Sequence, residues 1–246
     1  MSNELLWKKE KMITYQEVDF TGNWRMAEIL KACSDLATEH AEIIKVWKPE
    51  MIGTYGWILA KMALEVRHPV RFEQKIRLLT WPGRPSKVIY PRYYQIVDEN
   101  GETMINASSV WTMLDLKRRR ITMPARAGVT FPAEIDPEVC LELPDFSVDV
   151  QTLTKVMTRQ VLYSYIDTNQ HMNNARYIEW VTDLLDLQRF KQGYIARLAI
   201  NFKKEAAPLT IMDLYYRETG DVFEVVGRDD QQIYFEVKGE WQNSDA

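Results

Sequence analysis

The stretch Asp167-Thr168-Asn169-Gln170-His171-Met172-Asn173-Asn174-Ala175-Arg176-Tyr177-Ile178-Glu179-Trp180 passes from a polar loop into a helix start. Asp167, Asn169 and His171 alternate, so on an extended backbone their side chains would share one face. Asn173 or Asn174 supplies a helix N-cap. Tyr177, Ile178, Val181, Leu184, Leu185 and Gln188 then recur at helical spacing, all but the last apolar. A carboxylate, an amide and an imidazole thus gather at the positive end of a helix dipole, where free backbone amides can hold a developing oxyanion. That chemistry suits hydrolysis of a carbonyl compound. Asp and Asn before a helix also serve as ordinary turn formers and caps, so the motif alone does not decide.

An earlier loop aligns with this one. Asp19-Phe20-Thr21-Gly22-Asn23-Trp24 lies over Asp167-Thr168-Asn169-Gln170-His171-Met172. The earlier copy keeps the Asp but has Thr21 for Asn169 and Asn23 for His171, so it has no group that titrates near neutral pH. One active site per chain, in the second half, is the expectation; two helix-start loops can also look alike by chance.

The surroundings of the two loops repeat as well. Met12–Gln16 reads as a short strand, and Thr21-Gly22-Asn23 as a helix start. Met26, Leu30, Cys33, Ala37, Ile44 and Trp47 mark one face of a long helix closed by Pro49. In Trp57–His68, Ile58, Ala60, Met62, Leu64 and Val66 alternate with polar positions. Phe72–Trp81 follows, and Val88–Val97 and Thr103–Leu116 join at the hairpin signal Asp98-Glu99-Asn100-Gly101. A stretch with Pro124, Pro132, Pro137 and Pro144 has no sustained periodicity. The second half reads as strand Val156–Leu162, a helix from Asn174, and strands Tyr194–Phe202, Ile211–Arg217, Val222–Arg228 and Ile233–Trp241. Two copies of strand, helix and four antiparallel strands predict an α+β tandem (double) hotdog, each half a long helix wrapped by a curved antiparallel sheet. The expected division is 1–130, a connection over 131–152, and 153–246.

Composition excludes several functions. The chain is 46% hydrophobic and 27% charged, the balance of a folded globular protein. Its longest uncharged run, Thr103 to Leu114, is far below the about 20 apolar residues of a membrane span. Met1–Glu10 lacks a signal-peptide apolar core and an Arg/Ser-rich transit segment, so a cytoplasmic location is expected. Two cysteines, Cys33 and Cys140, do not make a disulfide framework. His40, His68 and His171 lie far apart and pair with no Cys at metal-ligand spacing, so no metal and no cofactor are expected. A net charge of −4 disfavours nucleic acid as a partner.

Three ordered segments carry a resemblance: YGWILAKMALEV (Tyr55 to Val66), ASSVWTMLDLKRRRITMP (Ala107 to Pro124) and DTNQHMNNARYIEW. Together they resemble the acyl-acyl carrier protein thioesterases of plant plastids and of bacteria, over nearly the whole chain. The resemblance implies a double hotdog that hydrolyses fatty acyl-acyl carrier protein to free fatty acid, with the acyl carrier protein as partner. It assigns Asp167, Asn169 and His171 to catalytic positions, and a further acid, Glu205, in Asn201-Phe202-Lys203-Lys204-Glu205-Ala206. Plant members commonly carry Cys beside that acid; Ala206 stands there here, which excludes a thiol nucleophile at that place. Without the resemblance, Glu205 reads as a salt-bridge partner of Lys203 or Lys204.

The resemblance also places an acyl slot beside the first helix, with Leu30, Cys33 and Ala37 as candidates, although such a stripe also serves as plain core. Lys117-Arg118-Arg119-Arg120 reads as a solvated charge run or as a docking point for an acidic carrier. Acyl-coenzyme A thioesterase, enoyl-thioester hydratase and non-catalytic acyl-thioester sensor are the competing functions. A homodimer stays open.

Overall fold

The computed structural model describes residues 5–132 and 139–243. Residues 133–138, within the expected 131–152 connection and including Pro137, lie outside the described residues. The first half contains β1 (Trp7–Met12), α1 (Met26–Ile43), β2 (Tyr55–Val66), β3 (Lys75–Pro82), β4 (Tyr90–Val97), β5 (Thr103–Asp115) and the short β6 (Arg120–Thr122). The second contains β7 (Thr154–Gln160), α2 (Asn174–Thr182), α3 (Leu187–Gln192), β8 (Gly193–Phe202), β9 (Ile211–Thr219), β10 (Val222–Arg228) and β11 (Ile233–Asn243).

All these strands form one antiparallel sheet in the order β1-β3-β4-β5-β2-β8-β11-β10-β9-β7, with β6 hydrogen-bonded to β5. Read from each edge inward, the halves have the same order, β1-β3-β4-β5-β2 and β7-β9-β10-β11-β8. This is the double hotdog. The halves meet at β2 and β8, paired from Lys61↔Asn201 to Glu65↔Arg197 about a central Ala63↔Ala199. One hydrophobic core contains residues of α1, α2 and the strands of both halves.

α1 presents Met26, Ile29, Leu30, Cys33, Leu36, Ala37, His40 and Ala41 to the interior, a stripe at helical spacing. It meets α2 across the middle of the molecule. There the Lys31 ammonium lies 3.2 Å from Glu179, and these two residues are separated by 148 positions. The same separation relates Asp19 to Asp167 and Asn23 to His171. Lys31 and Glu179 are therefore equivalent positions facing each other across a pseudo-twofold axis, and they carry opposite charges.

Several expected boundaries move. β1 runs over Trp7–Met12 rather than Met12–Gln16, and Tyr15–Glu17 is a 3-10 turn closed by Thr14 and Glu17. β1 is an edge strand with Lys8, Lys9, Glu10 and Lys11, the charge that edges carry against unwanted pairing, and this hides its alternation. The other edge, β7, begins two residues earlier than expected for the same reason. In β2 a bulge between Leu59 and Lys61 reverses the inward face. Met62, Leu64 and Val66 are buried as expected, but ahead of the bulge Leu59 takes the inner position and Ile58 and Ala60 are only half-buried.

α1 stops at Ile43, short of Ile44 and Trp47. Lys45 adopts φ 58°, and the amides of Val46 and Trp47 both return to the Ala41 carbonyl. Val46 and Trp47 instead build a second, smaller apolar cluster with Met51, Trp57, Met113 and Val129. The second-half helix is also not one long helix. α2 ends at Thr182, and Asp186 caps a separate α3 by accepting the Gln188 amide at 2.8 Å.

Candidate active site

Asp167–His171 is a closed turn rather than an extended segment. The Asp167 amide donates to the His171 carbonyl at 2.9 Å, and the Gln170 amide donates to the Asp167 carbonyl at 3.0 Å. Gln170 has φ 64°. The Asp167 carboxylate accepts the Asn169 amide at 2.8 Å and the His171 amide at 3.5 Å. Asp167, Asn169 and His171 therefore do not project together by strand alternation, as expected above. Asp167 folds the loop, and the exposed Asn169 amide side chain holds neither His171 nor Glu205.

The loop is then anchored on both sides. Met172 donates its amide to the Ala206 carbonyl at 2.9 Å, which draws the segment after β8 alongside the loop. Asn173 donates its amide to Tyr165 at 2.8 Å and caps α2 by accepting the Ala175 amide at 3.0 Å. The capping residue is thus Asn173. With the amides of Asn173, Ala175 and Arg176 committed, Asn174 has the backbone N–H left without a protein acceptor among the described residues.

These anchors bring His171 and Glu205 together from distant parts of the chain. His171 Nδ1 lies 3.6 Å from Glu205 Oε2, with side chains 25% and 30% exposed. The gap is slightly wider than a hydrogen bond, and among the described residues the ring nitrogen has no hydrogen-bond partner. Catalytic contacts are often this long before substrate tightens them. Glu205 is not taken up by Lys203, whose ammonium lies 3.1 Å from Glu236.

A residue that sequence reasoning counted only as part of the α2 apolar stripe adjoins this pair. Tyr177 is 2% exposed, packs edge-on against Phe202 and Phe235, and accepts the Ala206 amide at 3.3 Å through its hydroxyl. Burial pushes its phenol pKa up, and the charges of Glu205 and Asp167 add to the shift, so it stays a protonated hydroxyl. No spacing signal marks it, because an aromatic on a helix stripe is ordinarily core.

Leu30, Cys33 and Ala37 lie together on the interior stripe of α1, each 5% exposed or less. Burial raises the Cys33 thiol well above its usual range. Farther along the stripe, buried His40 Nδ1 lies 2.9 Å from the Arg92 guanidinium, which also donates to Thr80. Cys140 donates its thiol hydrogen to the carbonyls of Tyr94 and Ala107. Neither Cys33 nor Cys140 is in a disulfide.

The family model of the acyl-ACP thioesterase N-terminal domain matches residues 4–125, and that of the C-terminal domain matches residues 150–243. The chain belongs to the acyl-ACP thioesterase family. The chloroplastic acyl-[acyl-carrier-protein] hydrolase FATB2 of Cuphea viscosissima is 25% identical over 167 residues, covering 64% of this chain and 40% of that protein. The chain thus spans well under half the length of such curated relatives. An acyl-ACP thioesterase from Bacteroides thetaiotaomicron superposes with a TM-score of 0.81 at 21% identity, covering 98% of this chain and 100% of that one. The 12:0-ACP thioesterase from Umbellularia californica gives 0.84 at 16% identity, covering 98% of each. At these identities the superpositions establish the fold.

Within this acyl-ACP thioesterase fold, the earlier loop repeats the later one bond for bond. Asp19 donates to the Asn23 carbonyl at 2.9 Å, Gly22 donates back to Asp19 at 3.0 Å, and the Asp19 carboxylate accepts the amides of Thr21 and Asn23. Trp24 donates to the Val70 carbonyl, as Met172 does to Ala206. This places Pro69 at the position of Glu205. The first copy has lost both the imidazole and the carboxylate. Its helix cap is Arg25, two residues beyond the helix-start signal Thr21-Gly22-Asn23, and it makes no side-chain cap bond.

Proposed function

We propose that this chain hydrolyses the thioester joining a fatty acyl group to the phosphopantetheine arm of an acyl carrier protein, releasing free fatty acid. The observation that carries the reading is the His171–Glu205 pair, 3.6 Å apart at the α2 N-terminus, in only one of two otherwise matching loops. Water is the nucleophile. Glu205 takes a proton from it, and His171 holds or passes that proton as oxygen attacks the thioester carbon. The Asn174 amide, at the positive end of α2, is the donor available to the oxyanion; one such donor typically contributes about 3 kcal/mol. Collapse breaks the C–S bond, and the proton returns to the departing thiolate, giving acid and thiol with no redox change.

The geometry favours Glu205 over Asp167 as the base, because Asp167 is engaged by loop amides. Asn169, exposed on the loop, is free to meet the pantetheine arm. Leu30, Cys33 and Ala37 line the acyl slot in this reading, each buried methylene contributing about 0.8 kcal/mol. Residues 1–130 hold the chain, 131–152 connect, and 153–246 carry the chemistry. Arg119 and its neighbours, exposed at the β5–β6 turn, offer positive charge to an acidic carrier. A cytoplasmic setting agrees with Cys33 and Cys140 lying outside any disulfide.

The test is thiol release from acyl-acyl carrier protein and from acyl-coenzyme A bearing the same acyl group. The expected result is faster release from the carrier, retained in the Cys33→Ala/Cys140→Ala double variant, with no hydroxyacyl product. Preference for the coenzyme A donor, or hydration of an enoyl thioester in place of release, would overturn the reading.

A further inference from the structure

The residue after Glu205 is held through both of its backbone groups. The Ala206 carbonyl accepts the Met172 amide at 2.9 Å, and the Ala206 amide donates to the Tyr177 hydroxyl at 3.3 Å. Met172 follows His171, so the first bond sets how far the imidazole loop lies from this segment. The second fixes the plane of the peptide joining Glu205 to Ala206, and with it the direction in which the Glu205 side chain leaves the backbone.

The hydroxyl is itself held still. The Tyr177 ring is buried and meets Phe202 and Phe235 edge-on, at centroid separations of 5.5 and 5.1 Å. The earlier copy keeps the first bond and lacks the second. Trp24 donates to Val70 at 2.7 Å, as Met172 does to Ala206, but counting back 148 positions puts Ile29 in the place of Tyr177. Phe202 and Phe235, cross-strand partners in β8 and β11, correspond to Val66 and Ile105, cross-strand partners in β2 and β5. Ile29, Val66 and Ile105 are all buried, so the place is kept as core, but Ile29 has no hydroxyl to offer the Val70 amide. The backbone bond to the loop is common to both copies. The hydroxyl clamp exists only where His171 and Glu205 do.

We propose that Tyr177 is a positioning residue for the hydrolysis: through the Ala206 amide, its hydroxyl holds Glu205 at the place from which it serves His171 and water. The proposal rests on the hydrolytic reading and adds a third side chain to those the earlier copy lacks. Because the hydroxyl acts through Glu205, its effect vanishes when that residue is no longer a base.

Tyr177→Phe keeps the ring and removes the acceptor. For thiol release from acyl-acyl carrier protein, kcat should fall about tenfold or more, because small misplacements of a reacting group are that costly, with KM within about twofold. Added to Glu205→Gln, the same change should lower the residual kcat by less than about twofold. Replacing Ala206 by L-lactate, which turns its amide into an ester and leaves every side chain in place, should reproduce the loss seen in the parent. Hydrogen exchange at the Ala206 amide should quicken about tenfold in Tyr177→Phe. A folded Tyr177→Phe protein with parental kcat overturns the proposal. So does an equal proportional loss with Glu205 and with Gln in its place, which is what weakened packing alone would give. Unchanged exchange at Ala206 would overturn the clamp itself. A parent chain that releases no thiol sinks the hydrolytic reading instead, and the clamp then stands or falls on the Ala206 exchange.

Discussion

The loops Asp19–Asn23 and Asp167–His171 close with matching backbone bonds, and each carboxylate accepts amides two and four residues ahead. What differs is what the shared frame displays. The second sets an imidazole beside Glu205; the first sets an amide beside Pro69. A duplicated fold thereby contains its own control. Features common to both copies belong to folding, and features confined to one are candidates for chemistry. By that criterion Asp167 is first a loop-former, because Asp19 has the same bonds where no proton chemistry is available. His171 and Glu205 pass to the chemical side.

The largest effect should separate the acids from their counterparts. Glu205→Gln should lower turnover about 100-fold or more, since a general base is lost while the shape is kept. Pro69→Gln should leave turnover within about twofold. Equal losses in folded proteins would break the comparison. Next come the shared carboxylates. Asp19→Ala and Asp167→Ala should each cost about 2 kcal/mol in denaturant titrations, as hydrogen bonds to a charged group are lost in both copies. If only one copy is destabilised, the equivalence of the loops is wrong.

The helix starts should differ more subtly. Asn173→Ala removes a side-chain cap and should cost about 1 kcal/mol, whereas Arg25→Ala removes none and should cost little. Thermal melts of the two variants read this directly. Smallest is the pair on the pseudo-axis. Lys31 and Glu179 are about 30% exposed, so a double-mutant cycle should return about 0.5 kcal/mol, less in high salt. A coupling of zero at low salt would mean that the axial charges have diverged without consequence.

Legibility in the sequence followed the same division between frame and detail. β10, an interior strand, occupies the residues its apolar pattern predicted, because both of its neighbours demand that pattern. The edges β1 and β7 did not, since charge on an exposed edge masks the period. The β2 bulge is set by pairing with β5, which a local window does not contain. Ile44 and Trp47 continued the helical spacing of α1 while belonging to another cluster. His171 was visible from its loop. Glu205 required the resemblance, because contacts across the fold, from Met172 and Tyr177 to Ala206, bring it near. Tyr177 was hidden among core aromatics. The alternation read through Asp167, Asn169 and His171 does not survive a turn with Gln170 at positive φ.

The most direct test of a single hydrolytic centre compares His171→Ala with Asn23→Ala, the same truncation at equivalent positions. Thiol release from acyl-acyl carrier protein should fall about 100-fold or more in the first and by less than about twofold in the second, with both proteins folded by thermal melt. Comparable losses in the two folded variants would contradict the account.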